Sequence, residues 1–532
     1  MTGQDGIVTR LGAQNSVEAP TRRAGDRLGA FLSALRPQEP TSEAPAGATP
    51  EPATPGDRGA SAGVVGLETE YGITADGLSA DEAAREMFAP VVAWGRSTSV
   101  FTPAGARLYL DLGAHPEYAT AECSTLAELV AQDRAGDALV AELGRAVDRR
   151  RAAAGRPPAQ IAVFKNNSDS VGHSFGAHEN YQVTREGAAA LAAALIPFLV
   201  TRQLVAGAGH IEVDQRGARY VLSARAGHVS ETMSSASTRA RPIINTRDEP
   251  HADGQKYRRL HVIVGDSNMS QMATRWKFGA TSLVIAAAAR GARLPRMELA
   301  NPVRAISQVS RGWREPSPLE LVDGRTARPA SIQRAYLEVA LEAAETAEDA
   351  AVIGLWRKAL DAWDLGDFDG LETQLDWLAK LRLIERYQER SGAALEDARV
   401  ARLALAYHQL GPQGLRGRLE ASGMLTRAVS PWDVARAVLE PPPTTRARLR
   451  GRFVARARAA GREYSVDWMR LRLGDAPAVT VADPLDSFNA AAEQLIAGLK
   501  PASGRRARAV ETKAELDKIM DRAADAVLAE GV

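Results

Sequence analysis

Apolar and polar residues alternate along Ala106–Leu112, and this alternation predicts a β-strand. The small and apolar residues at its even-numbered positions would enter a core. Because successive side chains of a strand point to opposite faces, Arg107, Tyr109 and Asp111 would lie together on the polar face. The segment therefore predicts a surface on which a guanidinium, a phenol and a carboxylate meet.

Similar patterns recur along the chain and predict an α+β fold with a largely antiparallel sheet flanked by helices. Further predicted strands are Val64–Ile73, Ile161–Phe164, Asn180–Thr184, Arg219–Ser223 and Leu260–Val264. Predicted helices are Asp81–Trp94, Leu126–Ala154, Gly187–Leu204, Ser270–Arg290 and most of residues 331–409. The first of these helices has a start signal, because Ser79 can cap it and Glu82 follows three residues later.

The N-terminal region differs from the rest of the chain. Arg36–Ser61 is rich in proline, alanine, glycine and threonine and has no apolar period. A segment of this kind cannot bury enough surface to offset its loss of conformational entropy. We therefore expect residues 1–62 to be a disordered extension.

Composition excludes several classes of function. The 532 residues include 66 Lys and Arg and 65 Asp and Glu, so the net charge of +1 provides no general attraction to nucleic acid or anionic membranes. No apolar stretch approaches the ~20 residues that cross a bilayer. The single cysteine, Cys123, predicts neither disulfides nor a thiolate zinc site, and we expect it to pack in the core. These features are typical of a cytoplasmic protein.

Carboxylates gather on the predicted strands. Glu68 and Glu70 share one face of the first strand, and the segment His115–Glu122 adds Glu117 and Glu122. Carboxylates on one face repel each other unless a cation lies between them, and Mg²⁺ prefers such hard oxygen ligands. Arg107 could then neutralise phosphate. The same spacing is also typical of a solvated polar face, so it leaves both interpretations open.

Nucleotide binding, if present, would have to use the sheet face. The sequence has no GxxxxGK[ST] loop, and the glycines near Gly172 and Gly176 do not form a dinucleotide fingerprint. It also has no GxSxG nucleophile motif. The segment Phe164–Tyr181 contributes further polar candidates, including His178, Glu179 and Asn180.

Several long motifs resemble the Pup–protein ligase family, whose members attach the small protein Pup to lysines. They are GLETEYG at Gly66–Gly72, GARLYLDLG at Gly105–Gly113, HPEYATAEC at His115–Cys123, FKNN at Phe164–Asn167, HENY at His178–Tyr181, RPIINTRDEPHAD at Arg241–Asp253 and YRRLHVIVG at Tyr257–Gly265. The resemblance implies a glutamine-synthetase-like fold, with a curved antiparallel sheet forming a cradle and a small C-terminal domain. The implied boundaries are a large catalytic domain at 63–425 and a small domain at 426–500. Residues 501–532 have no counterpart in the family, and their pattern predicts a helical extension.

The resemblance also implies roles for individual residues. Those at the Mg²⁺ sites would be Glu68, Tyr109 and Glu117, with Tyr109 acting partly through water. Those contacting ATP would be Arg107, Thr120 and Trp468, the last of them placed in a C-terminal domain that covers the nucleotide. Asp111 would be the general base that deprotonates the attacking lysine. The partners would be Pup and lysine-bearing target proteins, and the modification would mark these targets for proteasomal degradation.

Two other functions are compatible with these motifs. A Pup deamidase or depupylase shares the fold, although Val91–Ser97, Ala119–Ala121 and Gly265–Ser270 look more like the ligase. The second alternative is a scaffold protein that binds Pup without catalysing a reaction.

Four further residues are open site candidates. His178, beside Glu179 and Asn180, could contact metal or phosphate, and Arg247 could contact phosphate. Asp376 and Lys380 are four residues apart on one helix, a spacing more typical of a plain surface pair.

Overall fold

A computed structural model describes residues 63–111, 113–169, 172, 174–236, 241–502 and 515–530. The predicted disordered extension, residues 1–62, lies outside this range, and so does Leu112 at the end of the predicted strand.

Eight strands form the main sheet, and it determines where the polar residues meet. The strands of the chain are β1 Val65–Glu70, β2 Gly72–Thr74, β3 Ser99–Phe101, β4 Arg107–Leu110, β5 Pro116–Ala119, β6 Ala162–Phe164, β7 Ala177–Thr184, β8 His210–Asp214, β9 Gly217–Val221, β10 Glu231–Ser234, β11 Pro242–Asn245, β12 Tyr257–Val262, β13 Leu319–Glu320, β14 Thr326–Ala327, β15 Tyr464–Val466, β16 Arg470–Leu473 and β17 Val479–Thr480. The order in the main sheet is β10-β11-β12-β7-β1-β5-β4-β3. The β10–β11 pair is parallel and the other neighbouring pairs are antiparallel.

Helices flank this sheet, which confirms the predicted α+β class. They are α1 Ala80–Gly95, α2 Leu126–Ala153, α3 Ala188–Thr201, α4 Gln203–Ala206, α5 Gln271–Ala289, α6 Pro302–Arg311, α7 Pro329–Leu341, α8 Ala347–Leu365, α9 Asp376–Ser391, α10 Ala398–His408, α11 Arg416–Ala421, α12 Pro431–Leu439, α13 Ala447–Ala459, α14 Ala490–Ala497 and α15 Glu515–Glu530. Within the described ranges, none of these helices is long and apolar enough to cross a membrane.

Local signals account for several element boundaries. Helix α1 begins after Ser79, whose hydroxyl accepts a hydrogen bond from the amide of Glu82, while the Glu82 carboxylate accepts one from the amide of Ser79. This reciprocal cap confirms the predicted start. The helical region 331–409 is divided into four helices, and two of them end at Gly366 and Gly392, which adopt the left-handed conformation.

The predicted strand Val64–Ile73 is split in the structure. Strand β1 ends at Glu70, and β2 pairs with β6 in a separate two-stranded sheet. Tyr71 lies at the break, fully buried, and its hydroxyl donates a hydrogen bond to Asp137 on α2. Anchoring this side chain in the core redirects the chain, which the apolar pattern alone did not indicate.

The C-terminal region has an apolar core of its own. Strands β15–β17 and helices α13 and α14 enclose it. The buried residues of this core are Leu449, Phe453, Ala457, Ala460, Leu471, Val481, Ala492, Ile496 and Leu499. Helix α15 lies beyond it and buries Leu516, Ile519 and Met520. The domain boundaries at 425 and 500 stay a prediction.

Asp376 and Lys380 are not the surface pair that their spacing suggested. Both are buried on α9. The Asp376 carboxylate accepts hydrogen bonds from the amide of Ser270, 2.8 Å away, and from the hydroxyl of Tyr407, 2.7 Å away. Lys380 donates to the carbonyl of Gly209, 2.6 Å away. Spacing of four on a helix places two side chains on one face but does not say whether the fold covers that face.

Burial of Lys380 predicts that stability rises with pH. Burial lowers the pKa of Lys380 from 10.5 to about 7. Between these values the unfolded chain binds more protons, so raising the pH favours the folded state. We expect Lys380→Met to remove about 2 kcal/mol of the increase in unfolding free energy between pH 7 and pH 9. Urea unfolding at both pH values measures it, with Lys358→Met at an exposed site of α8 as control. Equal increases in wild type and Lys380→Met would contradict the prediction.

Candidate active site

Register across the main sheet brings polar residues from separate strands into rows. Tyr109 on β4 pairs with Glu117 on β5, which pairs in turn with Glu70 on β1. Residues directly opposite each other in neighbouring strands point to the same face. Three side chains from three strands therefore meet in the first row.

A second row lies beside the first. Arg107 pairs with Ala119, which pairs with Glu68, which pairs with His178 on β7. Further across the sheet, Asn180 pairs with His261 on β12. The same face of the sheet thus carries residues from β4, β5, β1, β7 and β12.

One group in this face consists only of carboxylates. Oxygen atoms of Glu70, Asp111 and Glu117 all lie within 4.8 Å of one another, and we call these residues the carboxylate cluster. Glu117 is buried, whereas Asp111 is exposed just beyond the end of β4. Burial and the nearby charges of Glu68 and Glu70 raise the pKa of Glu117 well above its usual range. A divalent cation would offset this repulsion, and a set of oxygen ligands suits Mg²⁺.

A second group combines a carboxylate with two imidazoles. Glu68, His178 and His261 also place ligand atoms within 4.8 Å of one another. His178 Nδ1 lies 3.5 Å from Glu68, and His261 Nε2 lies 4.0 Å from it. His261 is 8% exposed, and neither of its ring nitrogens has a hydrogen-bond partner among the described residues. Burial lowers the pKa of His261 to about 3, so its imidazole is neutral and can bind a metal.

Glu68 remains ionised although it is half-buried. Burial favours its neutral form, but a hydrogen bond from His178 and the charge of Arg259 hold its pKa well below the usual range. Arg259 Nη1 lies 3.5 Å from Glu68 and 3.1 Å from the side-chain oxygen of Asn180. The ionised carboxylate is in the form that a metal ion requires.

Tyr109 acts as a hydrogen-bond donor in this arrangement. Its hydroxyl donates to Glu117. Burial and the charges of Glu68 and Glu117 raise the pKa of Tyr109 far above its usual value, which keeps the phenol protonated. The guanidinium carbon of Arg107 lies 4.6 Å from the centre of the Tyr109 ring. Tyr109 therefore contacts a candidate ligand, Glu117, directly.

A cavity opens beside the metal-binding candidates, and Glu68, Thr120 and Trp468 are among the residues that line it. The Thr120 hydroxyl oxygen accepts a hydrogen bond from the amide of Leu67, 3.0 Å away, which fixes its rotamer. The fold thus brings together Thr120 and Trp468, which are far apart in the sequence.

Arg107 is not among the residues that line this cavity. It lines a neighbouring, broader cleft together with Phe101 and Trp468. Its Nε donates to the hydroxyl of Ser99, 2.9 Å away. The three residues expected to contact ATP are therefore divided between two spaces, and Trp468 borders both.

Comparison with known proteins identifies the family. The profile of the Pup-ligase protein family matches residues 63–472. The curated Pup–protein ligase of Sanguibacter keddieii is 47% identical over 448 residues, which cover 81% of this chain and 98% of that protein. The chain belongs to the Pup–protein ligase family. This confirms the family predicted from the motifs and the ligase class of enzyme.

Two solved structures of this family resemble the chain closely. The complex between Pup and its ligase PafA matches with a TM-score of 0.78 and 38% identity, covering 87% of this chain and 96% of that one. PafA in complex with ADP matches with a TM-score of 0.71 and 40% identity, covering 80% and 95%. Because these structures cover most of the chain, they confirm the predicted fold.

One candidate residue predicted from the sequence lies on the other side of the sheet. Glu179 was grouped with His178 and Asn180 as a candidate contact, and this was wrong. It points to the opposite face of β7, where it is fully buried and paired with Arg202. Arg247 follows β11, and its guanidinium lies 3.5 Å from Glu249.

Sequence reasoning also missed two residues of this face, Arg259 and His261. The alternation within Tyr257–Val262 contained the signal, because Leu260 and Val262 are buried on the opposite face. The apolar half of the pattern predicts the strand, and its polar half indicates the residues on the opposite face.

Proposed function

We propose that the protein uses ATP to join the γ-carboxylate of the C-terminal glutamate of Pup to lysine ε-amines of target proteins. The observation that carries this proposal is one sheet face holding two clusters of potential metal ligands beside a cavity that Thr120 and Trp468 line. The names of the matched ligases and their complexes with Pup and ADP support the choice of substrates.

The proposed reaction has two steps. A carboxylate oxygen of Pup attacks the γ-phosphorus of ATP, the bond to the β-phosphate oxygen breaks, and a γ-glutamyl phosphate and ADP form. The lysine nitrogen then attacks the acyl carbon, phosphate leaves, and an isopeptide bond results. Such phosphoryl transfer depends mainly on positioning and neutralisation of charge.

The residues of the sheet face fit this chemistry. Glu68, Glu70 and Glu117 would hold Mg²⁺, which when bound neutralises phosphate charge. Tyr109 holds Glu117 through its hydroxyl, and Arg107 lies against the Tyr109 ring. Thr120 and Trp468 would contact the nucleotide in the cavity. The His178 and His261 imidazoles extend the ligand set, and such nitrogen ligands also suit Mn²⁺ or Zn²⁺.

Asp111 is the proposed general base. An ammonium group has no lone pair, so the lysine must lose a proton before or during attack. A base that serves lysines on folded proteins has to lie where a bulky substrate can approach. Asp111 is exposed, and its carboxylate nevertheless lies within the carboxylate cluster.

A direct assay separates the alternatives. The protein is incubated with ATP, Mg²⁺, glutamate-ended Pup and a cell lysate, and conjugates are detected by their increase in mass. A parallel incubation with glutamine-ended Pup is assayed for ammonia. Conjugates support the proposal. Ammonia release without conjugates identifies a deamidase, and Pup binding without either product identifies a scaffold.

Removing the indole of Trp468 should affect ATP use selectively. An aromatic wall contributes mainly apolar contact, on the order of 1–3 kcal/mol when fully buried. Trp468→Ala should therefore raise the KM for ATP roughly ten- to a hundredfold and leave kcat largely unchanged. Conjugation rates across an ATP titration measure both constants. The control is Trp432→Ala, at an indole that is 73% exposed. An unchanged KM for ATP in Trp468→Ala would contradict the assignment.

A further inference from the structure

A buried carboxylate lies two residues beyond Thr120. Glu122 accepts a hydrogen bond from Arg446 Nε, 2.8 Å away, and from Arg450 Nη1, 3.0 Å away. Arg450 Nη2 donates to its second oxygen. All three residues are less than 10% exposed. Burial alone would raise the pKa of Glu122, but the two guanidiniums lower it to about 2, so the group is ionised.

Arg450 connects this carboxylate to Trp468. Its Nη1 donates to the backbone carbonyl of Trp468, 3.1 Å away, and its guanidinium carbon lies 4.9 Å from the centre of the indole. It also lies 5.0 Å from the ring of Phe101, which meets Trp468 edge to face at 4.9 Å. Its Nε donates to the carbonyl of Gly105, 3.0 Å away. Trp468 is thus held through its backbone and through its ring.

Arg446 connects the same carboxylate to another wall of the cavity and to the core of the C-terminal region. Its Nη2 donates to the carbonyl of His251, 2.5 Å away, and its Nη1 to the carbonyl of Val481, 3.1 Å away. Glu122, His251 and Arg446 all line the cavity with Trp468. The hydrogen bonds of Glu122 and its two arginines therefore connect the sheet, the loop after β11 and the C-terminal region around one cavity.

We propose that Glu122, Arg446 and Arg450, here called the Glu122 network, are positioning residues that hold Trp468 in place for the base of the nucleotide. The inference rests on the nucleotide site proposed above. A wall that is fixed before binding loses less conformational freedom on binding, which increases affinity. An arginine fits this role because its planar guanidinium can stack on indole while its fork donates to carbonyl and carboxylate oxygens.

The test is a double-mutant cycle on ADP binding, measured by calorimetry with Mg²⁺ present. Arg450→Lys keeps the positive charge near Glu122 but loses the planar contact and the fork. We expect it to weaken ADP binding about tenfold. If Arg450 acts through Trp468, adding Arg450→Lys to Trp468→Ala should change the dissociation constant less than about twofold. A side chain that only stabilised the fold would not show this coupling.

Arg452→Lys is the matched control, because Arg452 lies on the same helix and pairs with Glu493. It should bind ADP as wild type does. Thermal unfolding without nucleotide identifies variants that do not fold. If Arg450→Lys does not fold, Arg446→Lys replaces it in the same double-mutant cycle. The positioning role of Arg450 is wrong if wild type and Arg450→Lys bind ADP equally, or if the effects of the two substitutions multiply in the double variant. Neither result contradicts the proposed nucleotide site. No ADP binding by wild type would instead contradict the proposed nucleotide site.

Discussion

Replacing Asp111 by asparagine is expected to slow conjugation by about 10²–10⁴-fold, the range typical of losing general-base catalysis. Asparagine keeps the shape of the side chain but cannot accept the lysine proton. Binding of ADP and of Pup should persist, because Asp111 is not among the residues that line the cavity with Thr120 and Trp468. Single-turnover conjugation and separate binding titrations measure the two effects. A rate within about threefold of wild type would contradict the assignment.

The position of Asp111 allows a second interpretation, which the same variant can test. Its carboxylate lies within 4.8 Å of Glu70 and Glu117, so it could be a metal ligand instead of a base. Loss of a ligand would raise the Mg²⁺ concentration needed for half-maximal rate, and excess Mg²⁺ would restore activity. Loss of a base would leave that concentration unchanged. Asp475→Asn, at an exposed turn, serves as the control and should retain full activity.

Glu117→Gln is expected to reduce conjugation on the order of 10²–10³-fold, the size of effect seen when one fixed charge-stabilising group is removed. The amide keeps the volume of the carboxylate and still accepts a hydrogen bond from Tyr109, but it is a poorer ligand for a hard cation. Excess ATP should not rescue the rate, because the metal site is damaged and the cavity is not. Half-maximal activity should require more Mg²⁺.

Glu117→Gln and Trp468→Ala can be compared in one experiment, a matrix of ATP and Mg²⁺ concentrations. Trp468→Ala should recover with ATP, and Glu117→Gln should not. Glu463→Gln is a suitable control for the loss of a carboxylate, since Glu463 is 81% exposed and pairs with Arg96 on the surface. Full recovery of Glu117→Gln at high ATP would show that Glu117 does not hold the metal.

Local sequence signals determined several parts of this protein. The capping residues Ser79 and Glu82 set the start of α1, because both hydrogen bonds form within one turn. The alternation in Arg107–Leu110 placed Arg107 and Tyr109 on one face, because a strand has a fixed period of two. Glu68 and Glu70 were placed together by the same rule. The resemblance of the motifs then gave the family.

Pairing between strands and packing between distant segments were decided only by the tertiary structure. The sequence did not show that Glu70 would lie opposite Glu117, or that His261 would approach Glu68, because register depends on which strands become neighbours. Glu179 shared a polar segment with His178, yet Arg202, between α3 and α4, made its burial possible by pairing with it.

The cavity depends most on long-range contacts. Thr120 and Trp468 are separated by hundreds of residues, and the Glu122 network is one of the connections that joins their segments. Asp376 and Lys380 became buried because Ser270, Tyr407 and Gly209 supply their hydrogen bonds. Hydrogen-bonding partners for buried charges come from wherever the chain folds back, and no local pattern contains that information. The sequence alone therefore determined which residues share a strand face, while tertiary packing decided which faces became sites and which became core.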